Sequence, residues 1–143
     1  MKREIKFRAK RKDNNKWAFG DLVKDNAGGA WIETNLQTWR ENCDDVDAFG
    51  SRLYVDIDTV GQFTGLTDKK GREIYEGDVL RINNGAIICL LVVTWNAEVG
   101  SWCLRFKEES KEGTRPLGRW LCDRDYDIEL TGNIYDNKEL LEE

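Results

Sequence analysis

Ala86–Trp95 reads Ala-Ile-Ile-Cys-Leu-Leu-Val-Val-Thr-Trp, ten positions without a charge in a chain whose residues are 34% charged. The run is far short of the ~20 apolar residues a membrane helix needs, and its β-branched content suits a strand. Being apolar at odd and even positions alike, it predicts a central strand covered on both faces, by the rest of the chain or by another subunit. Asn83-Asn84-Gly85 stands directly before it, and Asn-Gly is a strong hairpin signal. Val79–Ile82 is therefore its antiparallel partner, with Leu80 and Ile82 on one face. A turn over Asn96–Gly100 then leads into Trp102–Phe106, where Trp102, Leu104 and Phe106 share a face.

The same grammar runs through the rest of the chain. Ile5–Ala9 alternates apolar and basic, so Lys6 and Arg8 point the same way. Lys12-Asp13-Asn14-Asn15-Lys16 is turn chemistry, and Trp17–Val23 is the expected partner strand. Ala30–Thr34 reads as a third strand after the Gly28-Gly29 break. Leu36, Trp39, Cys43 and Val46 fall at helical spacing behind Asn35, which predicts a short helix. Residues 41–58 concentrate Glu41, Asp44, Asp45, Asp47, Asp56 and Asp58, and read as a solvated loop. The central Gly and closing Glu of a calcium loop are missing there. Further on, Val60–Thr64, Glu73–Tyr75, Leu117–Cys122 and Tyr126–Thr131 read as short strands, with tight turns at 67–71 and 76–78. A capped helical turn is expected over 136–141. The sum is a mostly β protein of turn-punctuated strands in a small barrel or packed sheets, undivided by repeat or linker.

Composition removes whole classes of chemistry. The chain has no histidine, which excludes Ser-His-Asp triads, Cys-His pairs and His-ligated metals. Cys43, Cys89, Cys103 and Cys122 lie 46, 14 and 19 positions apart, a spacing unsuited to a zinc ribbon or redox pair. No metal or cofactor is expected. Met1 is followed by Lys-Arg-Glu rather than an apolar run, so no signal peptide or membrane segment is expected, and the location expected is the cytoplasm. Charge is uneven: residues 1–16 carry eight basic residues against Glu4 and Asp13, while the whole chain is −5. Such a basic segment on an acidic body can meet its own chain, a second copy, or polyphosphate.

Val60-Gly61-Gln62-Phe63-Thr64-Gly65-Leu66, Asp68, Gly71 and Glu73-Ile74-Tyr75-Glu76-Gly77-Asp78 together resemble the YopX-like family of phage and prophage proteins. Ile5–Ala9, Gly132-Asn133-Ile134-Tyr135 and Glu139-Leu140-Leu141 fit the same pattern, so the resemblance spans almost the whole chain. The sequence departs from it at Lys10, where relatives usually carry Trp, and over residues 25–58. The resemblance implies a mostly β, YopX-like fold with an SH3-like small barrel in the C-terminal part and one or two short helices. It implies a single domain over 1–143, with an N-terminal part over 1–59 and the barrel part over 60–143. It implies no activity.

An enzyme built from this chain would have to use carboxylates, Lys, Tyr or Cys, and Asp78 beside Tyr75 and Glu76 is its best constellation. The architectural reading is stronger: Asp78 accepts backbone amides at a corner, and Tyr75 packs with its hydroxyl at the rim. Gly61, Gly65, Gly71 and Gly77 are too widely spaced for a phosphate loop and read as turn glycines. The reading adopted is a non-enzymatic phage or prophage accessory protein of the bacterial cytoplasm. It self-associates or binds a host or phage protein, away from membranes. Arg8, Gln62, Thr64, Asp68, Tyr75 and Asp78 are its candidate binding residues. The alternative is a nucleic-acid module using Lys6, Arg8, Lys10, Arg11, Arg81, Arg119 and Trp120, against which the acidic body weighs. Imitation of nucleic-acid charge by the 41–58 cluster is a further reading.

Overall fold

The computed structural model describes residues 3–33, 52–106 and 113–141; the helix expected from Asn35, the acidic residues 41–47 and part of the loop after Phe106 lie outside them. The chain forms two compact units, residues 1–63 and 64–143. Both are antiparallel β, as the sequence predicts.

In the first unit, β1 (Phe7–Lys10) and β2 (Trp17–Lys24) flank a turn in which Asn15 takes φ 60°, the left-handed geometry that asparagine tolerates. β2 pairs with β1 through Trp17–Gly20 and with β3 (Ala30–Glu33) through Asp21–Lys24. Gly20 sits where the strand changes neighbour. Its φ is +152°, and a Cβ there would be driven into the Glu33 carbonyl oxygen, so only glycine lets the strand bend at this point. β4 (Arg52–Tyr54) follows β3 at the edge. Just past it, Val55 bridges Arg11 and the Asp56 amide donates to the Lys10 carbonyl at 2.8 Å, turning the edge back onto β1. Ala9, Ala18, Ala30, Ile32, Leu53 and Val55 fill the enclosed face.

β4 corrects the loop expectation for residues 52–55. Leu53 and Val55 are buried while Arg52 and Tyr54 are exposed, a period-two pattern hidden by the acidic residues around it. A single 3-10 turn, Ile57–Thr59, capped by the Asp56 carboxylate, leads to β5 (Gly61–Thr67), whose start pairs with β1.

In the second unit, the remainder of β5 is followed by β6 (Glu73–Tyr75). A four-stranded sheet has the order β10-β7-β8-β9, built from β7 (Asp78–Asn83), β8 (Ile88–Asn96), β9 (Ser101–Phe106) and β10 (Asp127–Asn133). Leu80, Ile82, Leu91, Val93, Leu104 and Ile128 on one face pack with Ile74 of β6, and Leu66 of β5 packs against the same core. Strands outside the sheet thus help to wrap one interior. Burial of β8 on both faces holds for Leu91–Val93, whereas Ile88 is 57% and Trp95 44% exposed.

Leu117–Cys122 is a helix, α1, not the expected strand. Pro116 opens it, and buried Leu117 with Trp120 and Leu121 against the core gives the three- and four-residue spacing of one helical face. A six-residue segment offers too little length for periodicity to separate helix from strand. The C-terminal turn is a 3-10 helix over Lys138–Leu141.

Candidate functional site

Asp68 illustrates how the sequence-selected residues are used. Its side chain is 0% exposed. It accepts hydrogen bonds from the amides of Lys70 (3.0 Å), Arg72 (2.9 Å) and Leu130 (3.3 Å), and from Arg72 Nε (2.8 Å). Burial alone would raise its pKa, but the Arg72, Leu130 and Lys70 amides and the Arg72 guanidinium hold it below the usual carboxylate range. The carboxylate closes the 68–72 turn and ties it to β10, beside the irregularity between Leu130 and Gly132. Its lone pairs are committed to architecture.

Asp78 and Thr64 are used in a similar way. Asp78, 2% exposed, accepts the Tyr75 amide at 2.7 Å, the corner role expected of it. Gly77 (φ +90°) makes that corner, its amide donating to Val93 and its carbonyl accepting from Ile134. Tyr75 departs from expectation: it is 2% exposed, and its hydroxyl oxygen is enclosed rather than at the rim. Thr64 is buried and donates to the Ile74 carbonyl at 2.8 Å. Gln62 is half-buried opposite Phe7.

Lys6, just before β1, and Arg8 and Lys10 within it follow the predicted alternation, and aromatic rings meet them. Lys6 lies over Phe63 (4.9 Å), and Arg8 (4.6 Å) and Lys10 (5.4 Å) lie over Trp17. Arg8 is 7%, Lys10 9% and Arg11 6% exposed, so these three do not form a solvent-facing basic row. Arg11 makes two hydrogen bonds to Asp13 through its guanidinium, which lowers the Asp13 pKa. Arg81 is on β7 and half-buried, while Arg119 is exposed on α1. The structure thus divides the nucleic-acid candidates between the two units.

Two clusters escaped sequence reasoning. Arg115 stacks on Trp120 (4.5 Å) and Tyr126 (5.7 Å), and bonds Asp123 at 2.7 Å. That hydrogen bond draws the Asp123 pKa down. In the first unit, Arg52 lies over Trp31 (4.9 Å) and pairs with Glu33 (3.3 Å), which also accepts Trp31 Nε1–H (3.0 Å). Each joins elements through an arginine over an aromatic ring. Alternation around Trp31 and Tyr54 could have signalled the second; the first needed the helix.

Among the described residues, no helix is long and apolar enough to cross a membrane. No curated protein matches the sequence. A crystal structure of protein EF1440 from Enterococcus faecalis is similar in fold, with TM-score 0.58 and 22% identity over 99% of this chain and 100% of that one. The family model described as YopX protein matches residues 6–142, so the chain belongs to the YopX family.

Proposed function

We propose that this protein is a non-catalytic phage or prophage accessory protein of the host cytoplasm, acting as a self-associating binding module. The carrying observation is the exposed apolar surface of the β8–β9 region. Trp95 (44%) and Phe106 (47%) are on the face of the ladder that carries Trp102, and Val99 (47%) is in the turn between the two strands. Trp95 and Trp102 face each other across the ladder as an edge-to-face pair with centroids 5.0 Å apart. Exposed apolar surface of this kind marks interaction sites.

A second copy is the partner favoured by charge. Ala86–Phe106 holds only Glu98 and Arg105 as charged residues, so the surface can meet its own image without like-charge repulsion. A non-catalytic role is supported by the commitment of the Asp68 and Asp78 carboxylates to backbone amides. Multi-angle light scattering tests the reading. The wild type is expected to run as a dimer or larger, and Trp95→Ser with Phe106→Ser as a folded monomer. A wild type that is monomeric at every concentration overturns it.

A further inference from the structure

The face of the second sheet opposite its core carries an unusual group of donors. Register places Arg81 opposite Leu90, Arg105 opposite Val92 and Thr94 opposite Cys103, on the face of β8 that points away from core residues Leu91 and Val93. Thr94 and Arg105 are diagonal neighbours there, ~7–8 Å apart by strand geometry. Both Thr94 Oγ1 and Arg105 Nε are buried without a hydrogen-bond partner. An enclosed, unsatisfied donor is uncommon in folded proteins, and two side by side call for a shared acceptor.

Charge on the same face points to what that acceptor is. Lys69 pairs with Asp127, while Lys70 (3.2 Å) and Arg72 (3.7 Å) pair with Glu129, the residue opposite Arg81. The carboxylates of this face are thereby engaged. Arg81 and Arg105 make no ion pair among the described residues. Two surplus guanidiniums on a protein of net charge −5 form a local positive site. Guanidinium forks are donor-only and suit planar or tetrahedral oxyanions, and a hydroxyl adds a third donor for another oxygen. We infer that Arg105 and Thr94 form a phosphate-binding site on the face of the β7–β9 ladder opposite Trp95 and Phe106, with Arg81, two strands away on β7, adding positive charge to the same face.

The test is an amide NMR titration with inorganic phosphate, with chloride as the reference at equal ionic strength, and a parallel titration with a short oligothymidylate. Saturable shifts are expected at the Thr94, Arg105 and Arg81 amides. Arg105→Gln is expected to weaken phosphate binding by about 10-fold or more, the scale of one charge-assisted hydrogen bond. Thr94→Val, similar in volume but without the hydroxyl, weakens it by about fivefold. If Arg105→Gln perturbs the fold, Arg81→Gln at a half-buried position carries the same test. An oligonucleotide that displaces phosphate and binds less tightly as salt rises identifies a nucleic-acid backbone as the source. Phosphate binding without oligonucleotide competition identifies a small phosphorylated ligand. Absence of saturable shifts with both probes, or shifts of equal affinity in Arg105→Gln, Arg81→Gln and wild type, overturns the site.

Discussion

Replacing Asp68 by Asn separates architecture from recognition at a position that sequence reasoning offered for binding. The carboxylate accepts from three amides and one guanidinium, and its side chain is fully enclosed. Arg72 is 41% exposed, so its ion pair is partly screened and adds little. In Asp68→Asn the carboxamide oxygen can still accept the Lys70 and Arg72 amides that bond Oδ1, but the amino group at the Oδ2 position meets the Leu130 amide and Arg72 Nε–H donor against donor, a loss of about 2 kcal/mol. For a chain of this size that lowers the melting temperature by roughly 7 °C. The pH dependence has a definite sign. A folded-state pKa below the unfolded value of about 3.9 contributes stability that is full above that value and is lost as pH falls through the folded pKa. The gap between wild type and Asp68→Asn should therefore be widest near neutrality and shrink below about pH 4. Urea denaturation followed by tryptophan fluorescence at pH 7 and pH 3 measures it. A loss below about 1 kcal/mol at neutral pH, or an equal gap at both pH values, would refute the reasoning.

Two further changes probe each unit separately. Gly20→Ala forces a Cβ against the Glu33 carbonyl in a backbone conformation that disfavours side chains, and should destabilise by about 2 kcal/mol; a thermal melt unchanged from wild type contradicts the bend. Arg115→Gln removes the hydrogen bond that lowers the Asp123 pKa, so NMR titration of that carboxyl should move towards the ordinary value, and no movement contradicts the Arg115–Asp123 pairing.

Local chemistry made much of the fold legible. Asn15 in left-handed geometry, the Asn84 carboxamide accepting the Ala86 and Ile87 amides, and Asp78 holding the Tyr75 amide are all short-range. Alternation put Leu80 and Ile82 on one face, and both lie in the core with Leu104. β4 was lost because two inward residues, Leu53 and Val55, stand inside an acidic stretch, and composition outweighed period. α1 was misread because six residues barely exceed one helical turn. Site geometry was the least legible: Asp68 and Leu130 are 62 positions apart, and the proximity of Thr94 to Arg105 depends on strand register. Neither relation leaves a periodic trace in the sequence.

Strand β9 is the outermost member of its sheet, and Gly113–Pro116 lies against it, with the Gly113 amide donating to Leu104 and Pro116 bridging Cys103. The Asn96 carboxamide ties this cover down, donating to the Gly113 carbonyl at 2.8 Å while accepting from the Glu98 and Val99 amides. A proline has no amide hydrogen to offer an incoming strand, so stacking of copies through main-chain pairing is obstructed along that stretch. Open-ended growth by strand addition is thereby disfavoured at this edge, and one asparagine helps to keep the outlet shut.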